Sequence, residues 1–510
     1  MRGGRFGTGM NTLMSVHRQT LEADYAARAR QRARATENAM RLAAPSDALG
    51  NGRLASLQDV KASGLFNNDG IFLGGLDGRL LFYRGDAPIM TYARTGAGKG
   101  KDLVLPNLGH LRDRSLVVCD PKDGENAFVS AAYRRDVLRQ KVVFLNPYDI
   151  NGDGFPNTKV NPFHLLVDIV RSGARIDSEA SEIAHILIPR PIKASGEEWV
   201  RSGALRFTAT ALKYLAIFDP ENCTPARLWS FVNSSGFDLT AQFAMMETCG
   251  VAEIEGSAAG FNFVRVDAPK QWEAYKSALA DALTPFAPDS ALAISTSGNE
   301  FSFASLKHEK VTVYLILPSE KLDVGAPWIS LIVNYAIEAI AKERGKLSTL
   351  FILDEFAQLP PINAVPKATR LYRSKGIQLW FFAQGRFSLR ERWPEVLAKE
   401  FEDQAGVVTM RSISEPDLIR DVELWSGNKT ILNRGVSHNG GTVETAAANL
   451  GESKRSVLQA EDILGLGLAK QIIKVATMPH LIVSDCVPFF AVDPWDQLGD
   501  VRALHKGEFE

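Results

Sequence analysis

The segment that says most about this chain is Leu350-Phe351-Ile352-Leu353-Asp354-Glu355, in which four apolar residues lead directly into two adjacent carboxylates. An apolar run of this kind is typical of a strand buried in a parallel sheet. Such sheets bind ligands where the carboxyl ends of their strands meet, so we expect Asp354 and Glu355 at a binding edge. Because carboxylates at the end of a buried strand are costly without a cation, the pattern predicts Mg²⁺ as their partner.

A glycine-rich turn lies far upstream of this segment. After the apolar Pro88-Ile89-Met90-Thr91-Tyr92 the chain continues Ala93-Arg94-Thr95-Gly96-Ala97-Gly98-Lys99-Gly100. In a phosphate-binding loop, backbone N–H groups and a helix N-terminus surround the phosphates, and a lysine neutralises the β and γ charges. The residues predicted to bind nucleotide are Thr95, Gly96, Ala97, Gly98, Lys99, Gly100 and Lys101.

The two motifs together resemble a Walker A loop and a Walker B strand, and they predict an ATP-driven machine. Asp354 would hold the Mg²⁺ shell through water, and Glu355 would orient and deprotonate the water that attacks the γ-phosphate. Ala93 replaces the usual first glycine, and Gly100 replaces the Ser or Thr that normally ligates Mg²⁺. A glycine-rich turn with a surface lysine, and a strand running into an acidic helix start, remain the alternative interpretations.

Two further candidates flank the apolar run from Ile377 to Ala383. Gln384 follows this run and is predicted to reach the same edge of the sheet, where it would sense the γ-phosphate. Just before the run, the segment Arg370-Leu371-Tyr372-Arg373-Ser374-Lys375-Gly376 offers cations that a neighbouring subunit's nucleotide could receive. A surface charge cluster is the alternative for any single one of these cations.

The composition is that of an ordinary globular protein. The 510 residues are 45% hydrophobic and 23% charged, with a formal net charge of -1, so the whole molecule carries no nucleic-acid signal. The histidines show no zinc-binding pattern, and the cysteines form no close pair. This usage predicts a protein of the reducing cytosol that has no structural metal. The longest apolar candidate for a membrane span, Trp328 to Ala341, is short and contains polar residues. The cysteines are Cys119, Cys223, Cys249 and Cys486.

The organisation along the chain predicts five parts. Residues 1–53 are an arginine- and alanine-rich helical segment without a transmembrane span. Residues 54–173 and 294–495 are the two parts of the nucleotide-binding domain, carrying the P-loop and the Walker B strand. Residues 174–293 are an inserted all-α domain, and residues 496–510 are a C-terminal tail. Strands alternate with helices in the nucleotide-binding parts, which predicts an α/β fold with a mostly parallel central sheet.

Three local predictions can be compared directly with a structure. Thr224 is expected to cap a helix that has Pro225 in its first turn, and Asp238 is expected to cap the helix from Leu239 to Met246. The segment Ser437 to Ser456 is rich in Gly, Ser, Thr and Asn, which predicts an exposed loop.

At this point the residues resemble a family, the TraG-type coupling proteins of type IV secretion. These are conjugative DNA-transfer ATPases related to the FtsK and HerA motors. The resemblance covers roughly Ile71 to Asp493, and its Asp-Pro-Lys and Asn-Pro elements make it more specific than a general P-loop match. The matching segments are Thr95 to Gly100 with Leu103 to Asn107, Asp120-Pro121-Lys122 with Gly124-Glu125-Asn126, Phe144-Leu145-Asn146-Pro147, Asn161-Pro162-Phe163, and Leu350 to Leu359 with Gln384.

The resemblance implies a RecA-like P-loop NTPase with an inserted all-α domain that engages DNA or secretion substrates. It implies ATP and Mg²⁺ as cofactors and a homohexamer in which Arg373 acts on the neighbouring subunit's nucleotide. The TraG branch commonly has glycine after the P-loop lysine, so Gly100 is compatible with hydrolysis. The extra Asp123 after Asp-Pro-Lys departs from the family pattern.

The function implied is transport of DNA or a relaxase–DNA complex toward a type IV secretion channel, with relaxosome proteins and channel components as partners. Members of the family usually carry amino-terminal transmembrane helices, which these 510 residues do not show. We therefore expect a cytoplasmic chain held at the bacterial inner membrane by a separate membrane-anchoring partner. Two alternatives remain: a non-hydrolysing ATP-binding adaptor that presents protein substrates, and a soluble pump for double-stranded DNA of the FtsK or HerA type.

Overall fold

The computed structural model describes residues 7–190, 198–359, 361–439 and 445–499. The chain divides into two compact units. One unit comprises the residues up to Leu54 together with Ile419–Ile463, and the other comprises Ala55–Leu418 together with the residues from Leu464. The five-part division drawn from the sequence stays a prediction, and most of its C-terminal tail lies outside the described residues.

Thirteen strands occur in the described part of the chain. They are β1 (Ile71–Leu76), β2 (Arg79–Tyr83), β3 (Ile89–Ala93), β4 (Ser115–Asp120), β5 (Lys141–Leu145), β6 (Val311–Ile316), β7 (Thr349–Leu353), β8 (Ile377–Ala383), β9 (Val407–Arg411), β10 (Asn428–Asn439), β11 (Thr445–Ser456), β12 (Lys470–Val475) and β13 (Ile482–Asp485).

Eleven of these described strands form one sheet, in the order β2-β1-β13-β12-β9-β3-β8-β7-β4-β6-β5. The strands from β9 to β5 in this order pair in parallel, and the others pair antiparallel. Every residue of β3, β4, β6, β7, β8 and β9 is buried, as expected for parallel strands that are covered on both faces. The predicted α/β class with a mostly parallel central sheet is confirmed.

Eighteen α-helices lie in the described part of the chain. They are α1 (Gly7–Leu42), α2 (Leu57–Ala62), α3 (Leu105–His110), α4 (Glu125–Ala132), α5 (His164–Arg171), α6 (Asp177–Leu187), α7 (Glu198–Phe218), α8 (Pro225–Asn233), α9 (Gly236–Glu247), α10 (Ala252–Asp267), α11 (Pro269–Leu283), α12 (Ala291–Ser295), α13 (Leu322–Lys342), α14 (Ala364–Leu371), α15 (Arg386–Arg392), α16 (Glu395–Asp403), α17 (Pro416–Ser426) and α18 (Ala460–Leu464). The run from α6 to α12 occupies the segment for which an inserted helical domain is predicted.

The capping predictions have different outcomes. The Thr224 hydroxyl accepts a hydrogen bond from the backbone N–H of Arg227 at 3.2 Å, which confirms the predicted cap of α8. The prediction for Asp238 is wrong, because α9 begins at Gly236, two residues before Asp238, and the extended residue Ser235 occupies the cap position. Asp238 instead lies in the first turn, where a carboxylate interacts favourably with the helix dipole.

The loop predicted from Ser437 to Ser456 is wrong for the residues that the structure describes. Strands β10 and β11 pair antiparallel from Asn428 opposite Ser456 to Asn439 opposite Thr445, and residues 440–444 lie outside the description. The polar composition gave no alternating apolar pattern, so the usual strand signal was missing. The two strands satisfy each other's backbone hydrogen bonds, which composition alone does not indicate.

The apolar segment that contains Trp328 belongs to a core helix. The stretch Ser319–Lys342 is long and apolar enough to cross a membrane, but 83% of its most apolar window is buried inside the protein. Its apolar composition is therefore explained by packing in the core. This helix, α13, is longer than the apolar run from Trp328 to Ala341 because it already begins at Leu322. The polar residues inside the run, such as Asn334 and Glu338, are buried in the helix.

Candidate nucleotide-binding site

The strand order brings three predicted site segments to one edge of the sheet. Strand β8 lies between β3 and β7, and all three run parallel. The carboxyl end of β3 leads into the glycine-rich turn, that of β8 into Gln384, and that of β7 into Asp354. This edge is where open parallel sheets bind ligands.

Lys99 is the centre of the arrangement. Its Nζ lies 2.6 Å from Asp354 Oδ1 and 2.5 Å from Glu355 Oε1, and its side chain is 10% exposed. Glu355 has a φ of +52°, in the left-handed region that non-glycine residues seldom adopt. Its backbone N–H donates to Asp354 Oδ1 at 2.9 Å, which holds the two carboxylates in a tight turn. The structure thus brings together the lysine and the two acids that lie 255 and 256 residues further along the chain.

The ionisation of this cluster follows from burial and charge. Burial alone would lower the pKa of Lys99, but the Asp354 and Glu355 carboxylates outweigh it and raise that pKa. Burial alone would raise the pKa of Glu355, but Lys99 and then Lys122 hold it below its ordinary value. Both groups are therefore charged at neutral pH.

Lys122 is a member of this cluster to which no role was assigned from the sequence. Its Nζ lies 3.5 Å from Glu355 Oε1 and 3.9 Å from Asp354 Oδ2. It reaches them because β4 pairs in parallel with β7, with Cys119 opposite Leu353, so the loop after β4 lies beside the carboxylates. The signal was present as the Asp-Pro-Lys segment after a buried strand.

The backbone of the glycine-rich turn suits a phosphate. Gly96 and Gly98 have φ values of +77° and +75°, and the position of a Cβ on Gly96 or Gly100 faces open space. Thr95 and Gly96 are exposed, while Ala97 is buried and its N–H donates to Arg94 O at 3.0 Å. A helical turn from Gly100 to Val104 follows and leads into α3, so first-turn N–H groups of a helix face the same space. A bound nucleotide with Mg²⁺ fits these residues.

A buried ion pair packs against the glycine-rich turn, and the sequence gave no indication of this pair. Arg411 at the end of β9 pairs with Asp102, and both side chains are only 1% exposed. Arg411 Nη1 also donates to the carbonyl of Gly98 at 3.3 Å. A Cβ on Gly98 would meet Asp102 Oδ2 at 2.8 Å, so this position requires glycine. Lys101, which is half-exposed, adds a contact of 3.0 Å to Asp102 Oδ1.

The last two predicted residues, Gln384 and Arg373, lie at opposite edges of the sheet. Gln384 is exposed just after β8, at the same edge of the sheet. Arg373 lies before β8, where its Nη2 is 2.5 Å from Asp86 Oδ1. Asp86 precedes β3, which runs parallel to β8, so this pair lies at the opposite, amino edge of the sheet. The structure does not bring Arg373 to the phosphate loop of its own chain.

Comparison with known proteins points to a single family. The family described as Type IV secretory system Conjugative DNA transfer matches residues 32–491. The chain is 24% identical over 383 residues to a conjugal transfer protein TraG of Escherichia coli, covering 67% of this chain and 58% of the relative. It is 23% identical over 401 residues to protein VirD4 of Rhizobium radiobacter, covering 77% of this chain and 55% of that protein. The chain thus spans little more than half the length of these relatives.

Solved structures give the same fold. The plasmid coupling protein TrwB in complex with the ATP analogue ADPNP has a TM-score of 0.62 at 17% identity, covering 88% of this chain and 95% of TrwB. TrwB in complex with ADP and Mg²⁺ has a TM-score of 0.61 at 16% identity, covering 86% of this chain and 93% of TrwB. This similarity confirms the predicted RecA-like P-loop fold.

Proposed function

The chain belongs to the Type IV secretory system conjugative DNA transfer family, and on that premise we propose that it is an ATP-driven coupling protein. It would recruit DNA or a relaxase–DNA complex and move it toward a type IV secretion channel. The observation that carries the proposal is the position of Lys99 between Asp354 and Glu355, at the edge where the glycine-rich turn opens. TrwB, which has the same fold, is described in complex with ADP and Mg²⁺.

The roles of the residues follow from this arrangement. Bound ATP with Mg²⁺ would supply the bond to be hydrolysed and a divalent charge that screens its phosphates. Lys99 would exchange its carboxylate partners for the β- and γ-phosphates, and the N–H groups after Gly98 would surround them. Asp354 would hold the Mg²⁺ shell through water. Glu355 would take a proton from the attacking water, and Gln384 would contact the γ-phosphate.

The proposal includes a homohexamer in which Arg373 serves the neighbouring subunit's site. Arg373 precedes β8 and the glycine-rich turn follows the parallel β3, so the two lie at opposite ends of the strands. At ~3.3 Å per residue, a strand as long as β8 separates its ends by roughly 20 Å. Because the Arg373 guanidinium cannot cover that distance within its own chain, its natural target is the nucleotide of another subunit.

The proposed partners and location follow the names of the relatives. One relative, from Bartonella quintana, is named type IV secretion system-coupling protein VirD4. We place this chain on the cytoplasmic side of the bacterial inner membrane, held there by a separate membrane-anchoring partner. Relaxosome proteins and channel components would complete the complex. DNA would be held through its backbone, which makes binding dependent on salt and largely independent of sequence.

Phosphate release with and without DNA tests the proposal. Lys99→Ala should abolish nucleotide binding, because the phosphates lose their cation. Glu355→Gln should keep nucleotide binding and slow hydrolysis by about 10² to 10⁴-fold, the range for a general base. Lys141→Ala is the matched control, since Lys141 is an exposed lysine that pairs with Glu309 away from the site. Normal turnover in the glutamine variant would remove Glu355 from its role.

A non-hydrolysing ATP-binding adaptor is the second candidate, and Gly100 is the observation that favours it. No hydroxyl stands at this position to ligate Mg²⁺, although the space in front of Gly100 is open. A folded, oligomeric preparation that binds ATP without releasing phosphate would support the adaptor. A soluble double-stranded DNA pump would instead show DNA-stimulated turnover and capture neither relaxase nor channel proteins.

A further inference from the structure

The loop after β4 brings a second lysine to the proposed nucleotide site. Lys122 lies between Asp120, the last residue of β4, and Glu125, the first residue of α4. Its Nζ contacts the same two carboxylates as Lys99, at 3.5 Å from Glu355 Oε1 and 3.9 Å from Asp354 Oδ2. The proposed function assigns no task to this residue.

The backbone on both sides of Lys122 is anchored. Asp120 is fully buried, and its carboxylate accepts hydrogen bonds from Asn126 Nδ2 at 3.0 Å and from Ala127 N at 2.9 Å. Asp123, with a φ of +57°, accepts from the backbone N–H of Ser319 at 3.3 Å and from its hydroxyl at 3.1 Å. Asp123, which departs from the family pattern, therefore ties the loop to the segment that follows β6. Lys122 is held where its side chain reaches the carboxylates.

The two lysines differ in exposure and in contact distance. The Lys99 side chain is 10% exposed, whereas the Lys122 side chain is 41% exposed and its contacts are about 1 Å longer. If Lys99 turns to the phosphates, Asp354 and Glu355 lose their closest cation and face more negative charge. Like charges in a partly buried site repel strongly, so another cation must remain with the carboxylates. Lys122 is placed to do so.

The glycine at position 100 makes the charge of Lys122 more important for the site. Position 100 offers no side-chain oxygen to Mg²⁺, so the protein's hold on the metal rests on fewer ligands than in a loop with Ser or Thr. A lysine and a divalent ion that share the same carboxylates compete for them. Positive charge at Asp354 and Glu355 can then come from either source.

We propose that Lys122 is a second lysine of the nucleotide site, which stays with Asp354 and Glu355 when Lys99 binds phosphate. The chain then binds nucleotide with only a weak requirement for Mg²⁺. This inference rests on the proposed function, because it takes the Lys99 cluster to be the nucleotide site. Lys122 is a positioning residue in this scheme, since it acts through the two carboxylates.

Titration of a fluorescent ATP analogue, with Mg²⁺ or with EDTA, tests the proposal. Wild-type protein should lose little affinity in EDTA. Lys122→Ala should lose about tenfold in EDTA, the scale of one charged hydrogen bond, and much less with Mg²⁺ present. Lys122→Arg should keep most of the wild-type behaviour because it restores the charge. Lys141→Ala should match wild type, and thermal unfolding should show that every variant is folded.

The outcomes separate this inference from the proposed function. Equal loss of affinity by Lys122→Ala in both buffers, or no loss in EDTA, would overturn the second-lysine proposal while nucleotide binding itself stands. The wild-type protein could bind nucleotide with the expected dependence on Lys122 and yet release no phosphate. That result would contradict the proposed ATP-driven motor and leave the inference about Lys122 intact. Unchanged binding by Lys99→Ala would overturn both.

Discussion

The two edges of the central sheet carry ion pairs of opposite character. At the carboxyl edge, Arg411 and Asp102 are each 1% exposed, and Lys99 contacts Asp354 with both side chains at 10% exposure or less. At the amino edge, Arg373 and Asp86 form a pair in which the side chains are 48% and 67% exposed. The same chemistry is therefore buried at one edge and solvated at the other.

The difference indicates what each edge can do. A buried pair is costly to separate, because the partner that remains is an uncompensated charge in a low-dielectric interior. An exposed pair is screened by water and salt, so its members can change partners at small cost. The carboxyl edge is suited to hold a phosphate loop in one shape, whereas Arg373 is suited to leave Asp86 for a neighbouring subunit.

Among the variants that test this contrast between the edges, the one without the exposed arginine has the largest expected effect. Arg373→Ala should lower ATP turnover of the assembled protein by about 10³-fold or more, the scale reported for a transition-state arginine supplied by a partner. Nucleotide affinity and stability should stay near wild type, because the side chain is half-exposed and remote from its own phosphate loop. Phosphate release, nucleotide titration and thermal unfolding measure the three quantities.

A neighbouring arginine provides the control for this experiment. Arg370 lies only three residues before Arg373 in the chain. Its side chain is also 48% exposed, and it pairs with Glu400. Arg370→Ala should keep turnover within a few-fold of wild type. The same loss in both variants, or a loss of nucleotide affinity in Arg373→Ala, would show that the amino edge does not act on a neighbour's nucleotide.

The buried pair should instead affect stability. Arg411→Met or Asp102→Asn should each cost about 3 to 5 kcal/mol of unfolding free energy, because either change leaves one buried group without its opposite charge. The double variant Arg411→Met with Asp102→Leu should recover much of this loss, since it removes both charges. Urea unfolding of the three variants is the measurement. Single variants within 1 kcal/mol of wild type would mean that this pair is solvated after all.

The contrast between edges also separates what the sequence predicts from what it does not. Continuous apolar runs such as Leu350 to Leu353 and Ile377 to Phe382 identify buried parallel strands, because few other structures bury every residue in succession. Parallel strands end at a common edge, so the meeting of Lys99 with Asp354 follows from the motifs. The fold class and the main cluster were predictable for this reason.

The remaining features depend on contacts that no local pattern encodes. Asp102 and Arg411 are 309 residues apart, and each looks like a surface charge in sequence. Only the register of β3 and β9, which places Ala93 opposite Arg411, brings them beneath the turn. The pairing of β10 with β11 is seen in their backbone register and not in an alternating apolar pattern of the sequence. Tertiary position decides these features.

The smallest expected effect comes from the acid at the exposed edge. Asp86→Ala should change the free energy of unfolding by less than about 1 kcal/mol, the usual limit for a surface ion pair. Turnover should be equal to wild type or a few-fold higher, because Asp86 competes with the neighbouring site for Arg373. Urea unfolding and phosphate release test both statements. A loss of unfolding free energy above 2 kcal/mol, or a loss of turnover as large as that of Arg373→Ala, would contradict this prediction. Either result would mean that Asp86 holds Arg373 in its working position, and that the two edges differ less than the exposure of their ion pairs indicates.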